Sequence, residues 1–156
     1  MNQHQLWLEQ AIRMAELNVG SGGGPFAALV VKDGLIVGRG VNGVHLDHDP
    51  TAHAELLAIR EACIHLETTD LSDCTLYASG EPCPMCMGAI YWAKPGSVYY
   101  ACSKQEAADA TAFSDPLDGF YQEMIQPSQA RSINMRKLES GSKLAPFYAW
   151  RELQSE

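Results

Sequence analysis

The chain has 156 residues, 46% of them hydrophobic and 19% charged, which suits one packed domain over residues 1–156 and makes a second core hard to build. A formal net charge of -8, with eleven Lys and Arg scattered along the chain, disfavours a protein that grips a phosphate backbone. The opening Met1-Asn2-Gln3-His4 lacks a basic, apolar leader and no apolar run is long enough to span a bilayer, so a cytoplasmic protein with no membrane partner is expected.

Apolar residues at helical spacing predict a helix over residues 4–19, stopped by Gly20-Ser21-Gly22-Gly23-Gly24-Pro25. That glycine cluster precedes a strand, which is the wrong context for a phosphate loop. Strands over 26–32 and 35–40 follow, joined at Asp33-Gly34, a strong hairpin signal between apolar runs. A polar loop holding His45 and His48 leads to Asp49-Pro50, read as the cap and first residue of a helix. Leu56, Ile59, Cys63 and Leu66 are its expected buried face.

Residues 74–78 read as a strand, Pro82 as the start of a helix reaching Ala93, and 97–102 as a further strand. Helices near 104–112 and 120–125, a strand near 132–138 and a helix near 145–153 complete the order. Alternation after an initial hairpin predicts a mixed sheet with helices on both faces and right-handed crossovers, a three-layer α/β/α sandwich.

Two short segments carry the chemistry: Thr51-Ala52-His53-Ala54-Glu55 and Glu81-Pro82-Cys83-Pro84-Met85-Cys86. An odd count of five cysteines with one Cys-x-x-Cys points to metal or redox chemistry rather than a disulfide framework. Cys83 and Cys86, three apart at a helix start, can turn both sulfurs to one ion, and the helix dipole favours their thiolates. His53 adds an imidazole, giving the three ligands of a catalytic zinc site with one open position. Glu55, two residues on, diverges too far on a regular helix to bind the same ion, and fits better as a proton carrier beside the water. A Cys-x-x-Cys alone also suits a structural zinc knuckle, but Cys63, Cys74 and Cys102 lie in apolar patterns and read as core, and His45 and His48 as a solvated loop.

His-x-Glu followed by Pro-Cys-x-x-Cys is the signature of the zinc deaminases. With Gly23-Gly24-Pro25-Phe26, Ile90-Tyr91-Trp92-Ala93 and Pro146-Phe147-Tyr148-Ala149-Trp150, the chain resembles the purine-base branch of the cytidine deaminase superfamily, most of all its bacterial guanine deaminases. The resemblance implies a cytidine deaminase-like fold, one zinc ion per chain on His53, Cys83 and Cys86, and hydrolysis of guanine to xanthine and ammonia, a step of purine catabolism. It further implies Glu55 as proton shuttle, Asn42, Phe26 and the Ala54 backbone as contacts to the nucleobase, and Asp115 as a group handling a ring proton. Trp92 lies where relatives build part of the pocket, in some from a partner subunit. A homodimer with exchanged C-terminal segments is the implied assembly. Other readings of the same residues stay open: Asn42 before a glycine and Asp115 before Pro116 suit turns, and Phe26 and Trp92 suit a core. The rival functions are a tRNA adenosine deaminase, a deaminase of cytosine, guanosine or a triazine, and a zinc-binding module without catalysis. The acidic surface opposes the first, and Glu55 the last.

Overall fold

A computed structural model describes residues 1–112 and 116–155. Two compact units divide the chain, Met1–Asp118 and Gly119–Glu156. The first opens with α1 (Gln3–Gly20), whose start is held by a reciprocal cap: Asn2 accepts from the Gln5 N–H and Gln5 answers the Asn2 N–H. Strands β1 (Ala27–Lys32) and β2 (Leu35–Val41) pair antiparallel through Asp33 and Gly34, which both take positive φ, as a two-residue hairpin turn requires. Then come α2 (Ala54–Leu66), β3 (Thr75–Gly80), α3 (Pro84–Ala93), β4 (Ser97–Cys102) and α4 (Lys104–Thr111).

Among the described residues the sheet has four strands in the order β2-β1-β3-β4, with β1 antiparallel to both neighbours and β3 parallel to β4. The period-two alternation of strands sorts the core into two clusters. Ala28, Val30 and Leu76 face α2 and α3, whereas Leu29, Val31 and Tyr77 face α1. The three-layer sandwich is therefore as expected, with α1 on one face and α2 and α3 on the other.

Helix α2 seats itself differently from its expected pattern. Its buried residues are Ala54, Glu55, Ala58, Ile59 and Ala62, while Leu56 stays outside the core cluster and Cys63 and Leu66 pack at its margin. The cause lies across the interface. A Cβ on Gly38 would stand 2.3 Å from the Ala58 carbonyl oxygen, and one on Gly40 would stand 2.0 Å from that of Ala54. Two glycines thus let the helix backbone approach β2 directly, and only alanines fit at the contact. This contact fixes the first turn of α2, where His53, Ala54 and Glu55 sit.

The second unit contains α5 (Phe120–Met124), a 3-10 turn (Ser128–Ala130) and α6 (Ala145–Gln154). No strand forms over 132–138, contrary to the sequence expectation. Ile133 and Leu138 are exposed there, and no neighbouring strand pairs with the segment. Alternation of Ile133 and Met135 supplies a strand pattern, but a strand also needs a partner for its backbone groups.

Candidate metal centre and active site

Both cysteine-bearing and histidine-bearing helices start later than the prolines suggest. Helix α2 begins at Ala54 with His53 as its N-cap, and α3 begins at Pro84 with Cys83 as its N-cap. Asp49 does not cap α2; its Oδ1 instead accepts from the Thr51 N–H at 2.8 Å and the Thr51 hydroxyl at 2.7 Å, tightening the preceding loop. His53 and Cys83 have extended backbone, and neither side chain makes a capping hydrogen bond. Both are thereby released to point at something else.

They point at each other. His53 Nδ1 lies 3.4 Å from Cys83 Sγ and 3.5 Å from Cys86 Sγ, and the three donor atoms all fall within 4.8 Å of one another. A tetrahedral zinc ion, with bonds of about 2.1 Å to nitrogen and 2.3 Å to sulfur, separates such donors by about 3.6 Å. The donor set therefore fits one zinc ion, and two thiolates with a neutral imidazole balance its charge. Cys86 is fully buried, and Cys83 and His53 are half-buried. No fourth Cys, His, Asp or Glu joins the group among the described residues, which leaves one position open.

The ionisation of these groups follows from their contacts. Hydrogen bonding from Cys86, then from His53, holds the Cys83 thiol down at about 4. Cys86, which shares its proton with Cys83 and is deeply buried, is pushed up. The neighbouring Cys83 raises the His53 imidazole. Glu55 is 5% exposed, and burial, opposed by a hydrogen bond with Cys86, raises its carboxyl above the ordinary range. A buried carboxyl with a raised pKa is suited to taking up and returning a proton near neutral pH. Glu55 stands outside the three-donor group, inside the first turn of α2, whereas His53 lies before the helix as its N-cap.

Asn42, beyond the end of β2, is 9% exposed. Its Oδ1 accepts the Val44 N–H at 3.3 Å, which turns the amide so that Nδ2, without a partner among the described residues, is the end left to donate. The Ala54 N–H, first of helix α2, likewise meets no acceptor among the described residues. Phe26 lies just before β1 with its ring over Gly80, where a Cβ would stand 3.1 Å from two ring carbons. Trp92 is not brought to this group: it is 87% exposed on α3, six residues beyond Cys86 and so on another side of the helix. Asp115 lies outside the described residues.

Two supporting residues escape a reading by motif. Glu81 ties the cysteine loop to β4 and α4, donating its N–H to the Cys102 carbonyl and accepting the Lys104 N–H. Asn18, in the last turn of α1, donates to the carbonyls of both Gly24 and Asn42. A polar residue at a helix end facing a glycine loop is the only sign the sequence carries of the latter. Cys74 is buried in the core, where burial and then Asp73 push its thiol up to about 11, as befits an inert packing residue.

The cytidine and deoxycytidylate deaminase zinc-binding region matches residues 1–102. The chain belongs to this family. Among other members, guanine deaminase of Bacillus subtilis is 46% identical over 98% of this chain and 97% of its own. Its X-ray structure superposes with a TM-score of 0.89, covering 97% of this chain and 95% of that one. A tRNA-specific adenosine deaminase of Aquifex aeolicus is 36% identical over 73% of this chain and 76% of its own. A structure of guanine deaminase from Nitrosomonas europaea has 31% identity and a TM-score of 0.64, covering 74% of this chain and 70% of that one. The chain is thus a homologue of guanine deaminase, an aminohydrolase, with the fold of that enzyme and a triad suited to the zinc for which the family is described. None of its helices, among the described residues, is long and apolar enough to cross a membrane.

Proposed function

We propose that this chain hydrolyses guanine to xanthine and ammonia. The observation that carries the proposal is the buried Glu55 carboxyl beside, but not among, the three donors of an open zinc site. His53, Cys83 and Cys86 would hold the zinc ion, which would supply the Lewis acidity that makes a water nucleophilic near neutral pH. Glu55 accepts a proton from the attacking water as its oxygen bonds to C2, and delivers it to a ring nitrogen. Glu55 then carries the proton of the new C2 hydroxyl to the exocyclic amine, and the C2–N bond breaks as the C2 carbonyl forms, so that guanine and water become xanthine and ammonia. The Asn42 amide and the Ala54 N–H donate to acceptors on the base, and Phe26 walls the ring. Asp115 is assigned to a ring proton on the family likeness alone.

The choice of guanine rests on the reach of the likeness. The alignment with the Bacillus guanine deaminase spans 154 residues and so includes the second unit, whereas that with the tRNA adenosine deaminase spans 114. A net charge of -8 also opposes an RNA substrate. Residues 1–156 act in this reading as one deaminase domain in the cytoplasm, in keeping with five unpaired thiols. The chain acts as a homodimer, in which Trp92 and the exchanged C-terminal segment complete the partner's pocket. Support comes from Tyr91 and Trp92 on α3 and Phe147, Trp150 and Leu153 on α6, which a lone chain leaves exposed. Metal analysis tests the core of the proposal: wild type should bind about one zinc per chain and Cys83→Ala should lose both metal and turnover. A metal-free protein with full turnover would overturn it.

A further inference from the structure

We infer that Asn18 and Gly24 position the Asn42 amide and thereby set the affinity for the base; the inference rests on the contact to the base proposed for Asn42. Asn18 Nδ2 donates to the Gly24 carbonyl and to the Asn42 carbonyl, both at 2.8 Å, from the last turn of α1. The Asn18 carbonyl in turn accepts the Gly23 N–H at 2.9 Å, and the Gly24 N–H reaches the Asn42 carbonyl at 3.3 Å. Asn42 itself donates its N–H to the Phe26 carbonyl at 3.0 Å. One side chain therefore clamps the glycine loop, the end of β2 and the residue preceding β1 into a single unit.

The glycines are what permit the clamp. A Cβ on Gly23 would stand 2.3 Å from Asn18 Nδ2, and a Cβ on Gly24 would stand 2.7 Å from Asn42 Cγ and Oδ1. Neither glycine is held in the left-handed region, so the requirement is for space and not for φ. Gly24 bounds one side of the Asn42 amide and the Val44 N–H fixes its Oδ1, leaving Nδ2 as the free donor. The backbone of Asn42 is set by Asn18 and its side chain by Gly24. Among the described residues none of the hydrogen bonds of this clamp ends on His53, Cys83, Cys86 or Glu55, so it is assigned to binding of the base and not to proton transfer at Glu55.

Steady-state kinetics on zinc-loaded wild type, Asn18→Ala, Gly24→Ala, Asn42→Ala and the two double variants with Asn42→Ala test the inference, with zinc content and thermal unfolding measured alongside. The assay uses guanine, or whichever base the wild type deaminates. Asn18→Ala removes both hydrogen bonds of the clamp, and loss of the single Asn42 contact to the base that follows predicts a KM raised about tenfold, with kcat changing less than about threefold. Gly24→Ala should do the same by displacing the amide. In the Asn42→Ala background neither change should raise KM further by more than about twofold, because coupled residues are non-additive. An unchanged KM for both single variants, or equal effects with and without Asn42, would overturn the inference. If Asn18→Ala fails to fold, the Gly24→Ala cycle decides alone, since it leaves the Asn18 side chain in place. A KM insensitive to Asn42→Ala would remove the base contact and the inference together. A KM raised by Asn42→Ala alone would remove only the inference.

Discussion

At the scale of single residues, the site depends on where two helices begin. His53 and Cys83 are N-caps whose side chains ignore the backbone donors beside them, and Cys86 then follows in the first turn of α3. The donor triad suited to zinc was legible in the sequence, because His-x-Glu and Cys-x-x-Cys concentrate donors too sparse to coincide by chance. Their positions at the caps were not, because Pro50 and Pro82 each mimic a helix start that the chain delays. In the proposed mechanism Glu55 is the residue on which hydrolysis turns. Glu55→Gln keeps the shape and the burial but removes the proton carrier, so it should retain about one zinc per chain while kcat falls at least about a hundredfold. Metal analysis beside steady-state turnover checks this, and turnover within a few-fold of wild type would remove Glu55 from the mechanism.

At the scale of elements, glycine placement decides how α2 meets the sheet. The sequence shows a helix and a hairpin clearly, but the face a helix buries depends on what lies opposite. Gly38 and Gly40 draw the backbone of α2 so near that alanines take the contact and Leu56 is left out of the core cluster. Hydrophobicity alone selects the larger residues and so misreads the face. The strand expected at 132–138 failed for a related reason: alternation describes one chain, whereas a ladder needs two. Gly40→Ala should lower stability by about 1–3 kcal/mol, since its methyl would meet the Ala54 carbonyl. Gly88, inside α3 with open space around its Cβ position, should gain roughly 0.5–1 kcal/mol on change to Ala. Denaturant midpoints of the two variants should therefore move in opposite directions, and a shared direction would contradict this account of the α2 contact.

At the scale of the whole molecule, the family is written in residues 1–102, and the likeness that carries the proposed choice of guanine extends into the second unit. Composition supplied one useful constraint, the acidic balance that opposes nucleic acid. What covers the apolar side chains of α6 was not legible, because an exposed apolar helix face does not name its partner. In the proposed dimer those side chains are covered, so light scattering at assay concentration should give twice the chain mass of 17.0 kDa, and a monomer with full activity would remove the partner from the site. The most direct measurement of the central claim is ammonia release by zinc-loaded protein from guanine, adenine, cytosine, guanosine and a tRNA anticodon stem-loop under identical conditions. Guanine should be turned over with the highest kcat/KM and yield xanthine in equal amount. Release from the RNA alone would contradict the account.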